Sequence, residues 1–177
     1  MNTALILKAA RFAAEKHKEQ RRKDVDGSPY IHHPLDVAVL LAEEGGVDDP
    51  ETLAAALLHD TLEETATTPE ELAALFGETV AGIVQEVSDD KSQPKQLRKK
   101  AQISNAPGLS YAAKLIKLAD KTCNMRDILA FPPVDWNLAQ KQEYFTWAER
   151  VIAGLRGVHP VLEAVFDATL ARRVELV

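Results

Sequence analysis

Apolar positions recur along this chain at helical intervals. In residues 3–18, Ile6, Ala9, Ala13 and His17 follow spacings of 3, 4 and 4, which places them on one face of a helix. Residues 19–31 are polar, contain Asp26-Gly27 and Ser28-Pro29, and read as a loop. Pro34 opens a second helix over 34–44, and Gly45-Gly46 closes it. Pro50 opens a third that runs to about Glu64. Thr68 caps the next, with Glu71 three residues on as in a capping box, and Gly77 stops it. Further helices are predicted over 78–88 and 94–105. Ser110 caps a longer one that reaches about Leu129, where Pro132-Pro133 block continuation. Residues 135–156 and 160–174 supply the last two. No stretch alternates with period two, and no repeat, low-complexity tract or linker interrupts the pattern. The expectation is an all-α fold, one domain over 1–177, built as a bundle of about eight to ten helices.

Composition agrees with a globular chain: 177 residues, 46% apolar and 27% charged, enough to bury a core. The net charge of -6 argues against a nucleic-acid coat, though local basic clusters leave room for an anionic small substrate. Cys123 is the one cysteine, so no intrachain disulfide forms, and a reducing compartment is the natural reading. The N-terminal segment carries Lys8, Arg11 and Glu15 at helical intervals and lacks a signal peptide's apolar core. The longest apolar runs, 37–42 and 53–58, are six residues each, against roughly 20 for a membrane span. A cytoplasmic protein is expected, with no membrane and no nucleic-acid partner. Its oligomeric state is not legible.

Four residues carry the chemistry. On the third helix, Leu53, Ala56, Asp60, Glu63 and Glu64 are spaced to share a face, with His59 one step round. Its far end thus presents one imidazole and three carboxylates to the same space. Like charges so close repel unless a cation sits among them. Acids at a helix C-terminus also oppose the macrodipole, which disfavours a merely solvated helix end. On the long helix, Asp120 extends the face of Ala113 and Ile116, with Asn124 one turn beyond. A buried aspartate paired with Lys117 or Lys121 is the competing reading of Asp120 alone. His33, beside His32 and before Pro34, would by itself read as a cap or core histidine, as His17 does. Together, two imidazoles and two carboxylates form a ligand set suited to a divalent metal. Cys123 reads as core or pocket wall, because no base is offered to it. Two basic clusters stand near this set. One is Arg21-Arg22-Lys23; the other is Lys91, Lys95, Arg98, Lys99 and Lys100. Lys99-Lys100 read as a solvated face. A guanidinium at Arg22 can stack on a base or grip phosphate.

The ordered set H…HD…D resembles the signature of the HD-domain superfamily of metal-dependent phosphohydrolases. Several segments resemble, more narrowly, the hydrolase domain of RelA/SpoT proteins, which degrade (p)ppGpp. They are Arg22-Lys23-Asp24, Pro29-Tyr30-Ile31-His32-His33-Pro34, the stretch from Ala56 to Thr65, and Lys117-Leu118-Ala119-Asp120-Lys121 with Asn124-Met125-Arg126. The stretch from Asp89 to Lys95 and Glu143-Tyr144-Phe145-Thr146-Trp147-Ala148 are similar to the stand-alone small alarmone hydrolases, the metazoan SpoT homologues among them.

The resemblance, which spans about residues 9–156, implies an HD-type helical bundle and one Mn²⁺ held by His33, His59, Asp60 and Asp120. The ion would activate a water for attack on the 3′ phosphoryl group of (p)ppGpp, releasing pyrophosphate and GDP or GTP. Glu63 and Glu64 match the acidic pair that assists this water. The family's usual pair is Glu-Asp, which puts the role of Glu64 in doubt. Asn124 matches a substrate-contacting asparagine, and Arg22 and Lys23 match residues at the guanine and phosphate site. Lys95, Arg98, Arg126 and Tyr144 are weaker candidates for nucleotide contact. The chain is too short to hold a synthetase domain, so hydrolysis without synthesis is expected. Imidazole–carboxylate sites also admit Fe²⁺, Co²⁺ or Zn²⁺. Removal of the NADPH phosphate, or metal-dependent nucleotide binding without turnover, are the alternative functions.

Overall fold

The computed structural model describes residues 2–177; Met1, the first residue of the expected domain, lies outside the described residues. Ten α-helices, a π-helical turn and two 3₁₀ turns make up the regular structure among them, with no β-strand beyond an isolated bridge between Arg21 and Pro29. The helices are α1 Thr3–Lys16, α2 His32–Val39, α3 Pro50–Leu58, α4 Thr61–Glu64, α5 Pro69–Phe76, α6 Glu78–Val87, α7 Lys95–Asn105, α8 Tyr111–Ala130, α9 Leu138–Ala153 and α10 Pro160–Ala171. The all-α expectation holds. Among the described residues, no helix is long and apolar enough to cross a membrane.

Local chemistry explains most boundaries. Asp49 accepts from Thr52 N at 2.8 Å, and Pro50 occupies the first turn of α3, where its missing N–H costs nothing. Ser110 caps α8 through Ala113 N, as the sequence predicts. Thr68 caps α5, but the expected capping box is half formed: the Glu71 carboxylate turns instead to Lys16 Nζ at 2.9 Å. The complete box belongs to α9, where Asn137 and Gln140 bond reciprocally, so that helix starts at Leu138 rather than 135.

α3 is the axis of the core. Every residue from Thr52 to Leu58 is buried, so this helix is covered on all sides, by α1, α2, α6 and α8. α8 is the second buried rod, with Leu115 to Cys123 all inside. α2 packs on both rods, and that three-way contact brings its first turn beside the end of α3 and the middle of α8. α7 buries no residue and rests on α9, tied there by Trp147 Nε1 donating to Lys99 O at 3.1 Å.

Two helices depart from the sequence reading. The second begins at His32, ahead of Pro34, and its last turn widens to a π-helix, Leu40–Glu44, with Gly45 N reaching back to Leu40 O at 3.0 Å. The reason lies at Gly45: a Cβ there would stand 2.7 Å from Leu41 O and 2.9 Å from Leu162 Cδ2, so the chain turns close under α10 only where no side chain intervenes. The third helix does not run unbroken to Glu64. It stops at Leu58 and restarts at Thr61, with Asp60 at φ -96°, ψ -4° between the halves. The freed carbonyls at its end are taken by side chains: His59 Nδ1 bonds Ala56 O at 2.7 Å and Thr61 Oγ1 donates to Leu58 O at 2.7 Å.

A candidate metal centre beside a charged and aromatic cavity

The break after Leu58 turns His59 and Asp60 towards α2 and α8. Four donor atoms come together there. His33 Nε2 stands 3.8 Å from Asp60 Oδ2 and 3.1 Å from Asp120 Oδ1; His59 Nε2 stands 3.3 Å from Asp60 Oδ2 and 3.7 Å from Asp120 Oδ1. Rings and acids therefore alternate around one small space. Ligands about 2.1 Å from a small divalent ion lie about 3 Å apart when adjacent, so the observed spacings suit such an ion after slight contraction. His33, His59 and Asp60 offer atoms mutually within 4.8 Å.

The donor chemistry fits as well. His59 gives its Nδ1 hydrogen to the Ala56 carbonyl, which leaves the Nε2 lone pair facing the acids. That Nε2 is buried and has no hydrogen-bond partner among the described residues. Both histidines are buried, and Asp120 is 8% exposed. Burial pushes the Asp60 carboxyl up, but the His59 and His33 rings outweigh it and hold the group well below the usual carboxylate range. Asp120 likewise stays ionised against burial, through Lys121 and the two rings. Burial opposes charge on His59, yet the two aspartates win and raise its pKa. The cluster demands positive charge, which a divalent ion supplies.

Asp120 answers to both sequence readings at once. Its Oδ2 pairs with the buried Lys121 at 2.8 Å, while its Oδ1 faces the rings and accepts from Asn124 Nδ2 at 2.6 Å. The acids after His59 do not share the single face predicted for the third helix, because the break sends them different ways. Glu63 turns inward and accepts from Asp89 N at 2.6 Å; burial, with Asp89 and Asp60 nearby, raises its pKa to about 7. Glu64 is exposed and pairs with Lys91 Nζ at 2.5 Å.

Next to this cluster lies a cavity of about 450 Å³. Tyr30 and Asn124, each bonded to one of the two aspartates, line it together with Arg22, Lys23, Glu64 and Tyr144. Phe131, Pro133 and Trp136 give it apolar walls. Arg22 is not free: its guanidinium pairs with Asp127 Oδ2 at 2.6 Å. Lys95 and Arg98 line an adjoining cavity of about 290 Å³ that shares Trp136 and Tyr144 with the first. Arg126 points elsewhere. It forms a two-pronged pair with Glu44, at 2.6 and 2.9 Å, on the α2 side of α8, because the two residues from Asn124 to Arg126 turn the side chain by about 200°. Lys99 is not a solvated lysine either: it is half-buried, pairs with Glu143 and lies 5.4 Å from the centre of the Trp147 ring. Cys123 is buried and its thiol is pushed up by burial, which suits core and not a nucleophile.

Tyr30, Asp127 and Trp136 join the site beyond the residues expected from sequence. Tyr30 had a legible signal, since it stands one turn before His33. Asp127 and Trp136 had none, because only the packing of α8 and the segment after it against the 19–31 loop places them.

A fold of this kind, with a ring of two histidines and two aspartates at the junction of three helices, is that of a divalent-metal phosphohydrolase. The chain belongs to the HD domain family, whose pattern matches residues 9–149. Among its relatives, guanosine-3′,5′-bis(diphosphate) 3′-pyrophosphohydrolase MESH1 of Xenopus tropicalis is 54% identical over 94% of this chain and 93% of that one. MESH1 of Homo sapiens is 51% identical over 96% and 95%. A solved structure described as a metazoan ortholog of SpoT that hydrolyses ppGpp superposes with a TM-score of 0.95, at 43% identity and 99% coverage of both chains.

Proposed function

We propose that this chain removes the 3′ pyrophosphate of guanosine alarmones, converting (p)ppGpp and water to GDP or GTP and pyrophosphate. The observation that carries the reading is the alternating ring of His33, His59, Asp60 and Asp120 opening beside a cavity with charged and aromatic walls. The near-full-length similarity to MESH1 hydrolases supports the substrate. The four residues would hold one Mn²⁺, which when bound polarises a phosphoryl oxygen and lowers the pKa of a water.

This chain's own residues do the rest. The water oxygen bonds to the phosphorus on the ribose 3′ oxygen, the P–O3′ bond breaks, and O3′ takes a proton. Glu63, with a pKa near the working range, accepts the proton from water. Asn124 holds Asp120 and faces the substrate cavity, while Glu64, on its Lys91 tether, orients water at the rim. Lys23 and Arg22 face the guanine and phosphates with Tyr144, and Lys95 and Arg98 meet the pyrophosphate from the adjoining cavity. Purified protein incubated with ppGpp and Mn²⁺ tests this directly. GDP and pyrophosphate should form; unchanged ppGpp with no GDP overturns it. NADPH in the same panel separates nucleotide phosphatase activity from alarmone hydrolysis.

A further inference from the structure

Tyr30 is not among the four donors, yet it is bonded to one of them. Its hydroxyl donates to Asp60 Oδ2 at 2.6 Å, the same oxygen that faces the His33 and His59 rings. Asp60 sits in the break between α3 and α4, and its side chain makes no capping bond there. Among the described residues, Tyr30 is the only hydroxyl or amide that donates to this carboxylate. A carboxylate oxygen can accept at two lone pairs, so Tyr30 takes one and leaves one for a cation.

The phenol is itself braced. Its ring packs on His17 at 5.0 Å and meets the His33 ring edge-on at 6.2 Å. His17 is buried at 1% exposure, and its Nδ1 bonds Gln20 Oε1 at 2.7 Å. The Gln20 side-chain amide then donates to the backbone carbonyl of Glu64, and the Gln20 backbone carbonyl accepts from Tyr30 N at 3.1 Å. The end of α1, the 19–31 loop and the α3–α4 break are thus fastened to one another at the point where Asp60 must be aimed.

We propose that Tyr30, braced by His17 and Gln20, is a positioning residue that locks the Asp60 carboxylate in its ion-binding rotamer. The inference rests on the metal-dependent reading above and deepens it. Hydrogen bonds to a ligating carboxylate typically change metal affinity 10- to 100-fold when they are removed. Tyr30→Phe keeps the ring against His17 and deletes only the donor.

The test is Mn²⁺ binding, measured by calorimetry and by the electron paramagnetic resonance of free Mn²⁺, on wild type and variants. Tyr30→Phe should raise the Mn²⁺ Kd about 10- to 100-fold while the melting temperature of the metal-free protein stays within about 3 °C. Activity lost at low Mn²⁺ should return as Mn²⁺ is raised. A Kd within twofold of wild type overturns the inference. Should Tyr30→Phe fail to fold, Gln20→Ala removes the side-chain part of the brace and leaves the phenol: about threefold or greater weakening supports the proposal, and unchanged binding overturns it. Wild type that binds no divalent ion overturns the metal centre and this inference together. Wild-type binding with an unaffected Tyr30→Phe overturns the positioning role alone.

Discussion

Asp120→Asn is the perturbation that separates structure from chemistry at this site. Asp120 has two jobs on its two oxygens: Oδ2 pairs with Lys121 at 2.8 Å and Oδ1 faces the rings. The lysine side chain is 4% exposed, so removing the carboxylate charge leaves an ammonium inside the protein without its counterion. Breaking a buried pair from one side costs about 3–5 kcal/mol. The Lys121 ammonium also lies 4.5 Å from the centre of the Trp147 ring, which retains part of its stabilisation and puts the cost near the lower end, about 3 kcal/mol. For a domain of this size that is a fall in melting temperature of about 6–12 °C. Turnover should fall by several decades, because a neutral amide replaces one of two anionic donors. Differential scanning calorimetry on the metal-free protein, with single-turnover ppGpp assays, reads both. The double variant Asp120→Asn/Lys121→Met removes the stranded cation, so it should recover most of the lost stability and none of the turnover. A single variant that melts within 2 °C of wild type, or a double variant that stays as unstable as the single, refutes the pairing. Full turnover in Asp120→Asn refutes the ligand role.

The other predictions are these. Glu63, with its pKa raised to about 7, must lose its proton to act as base, so turnover should climb about tenfold per pH unit up to a midpoint no higher than about 7, since a bound cation draws it down; Glu63→Gln should abolish that limb. The same raised pKa favours the protonated folded state, so metal-free protein should lose on the order of 3 kcal/mol as pH rises from about 4.3, the unfolded value, through about 7, and Glu63→Gln should flatten this slope in urea titrations. Arg126→Ala, which breaks only the half-exposed pair with Glu44, should leave kcat and KM within about twofold and cost at most about 1 kcal/mol by chemical denaturation. Gly45→Ala should cost about 1–3 kcal/mol by the same assay, as its Cβ meets the Leu41 carbonyl and Leu162.

Much of the site was legible before any fold was known, because charged groups at the edge of apolar stripes stand out against their surroundings. Asp120 was found this way, as the polar continuation of a helical face. The common face predicted for the acids after His59 does not form. A continuous helix would have aimed Asp60, Glu63 and Glu64 together, whereas the break turns Asp60 to the rings, Glu63 to the Asp89 amide and Glu64 to Lys91. Nothing in the local sequence announces that break, since Leu58 through Leu62 suits an uninterrupted helix and contains neither Gly nor Pro. Arg126 stands two residues beyond Asn124, and the roughly 200° of helical turn between them sends it to Glu44 instead.

By itself, then, the chain's pattern determined the helical class, the Thr68 and Ser110 caps and the candidate set of two histidines and two aspartates, because helix periodicity and the cost of burying charge act over a few residues. What tertiary structure alone decided is which carboxylates face one another, that Tyr30 aims Asp60, and which cations line the cavity. Those depend on side-chain direction across contacts such as Tyr30 with Asp60, 30 residues apart, and Arg22 with Asp127, 105 apart. Only the packing of α2 against the two buried rods fixes such distant directions.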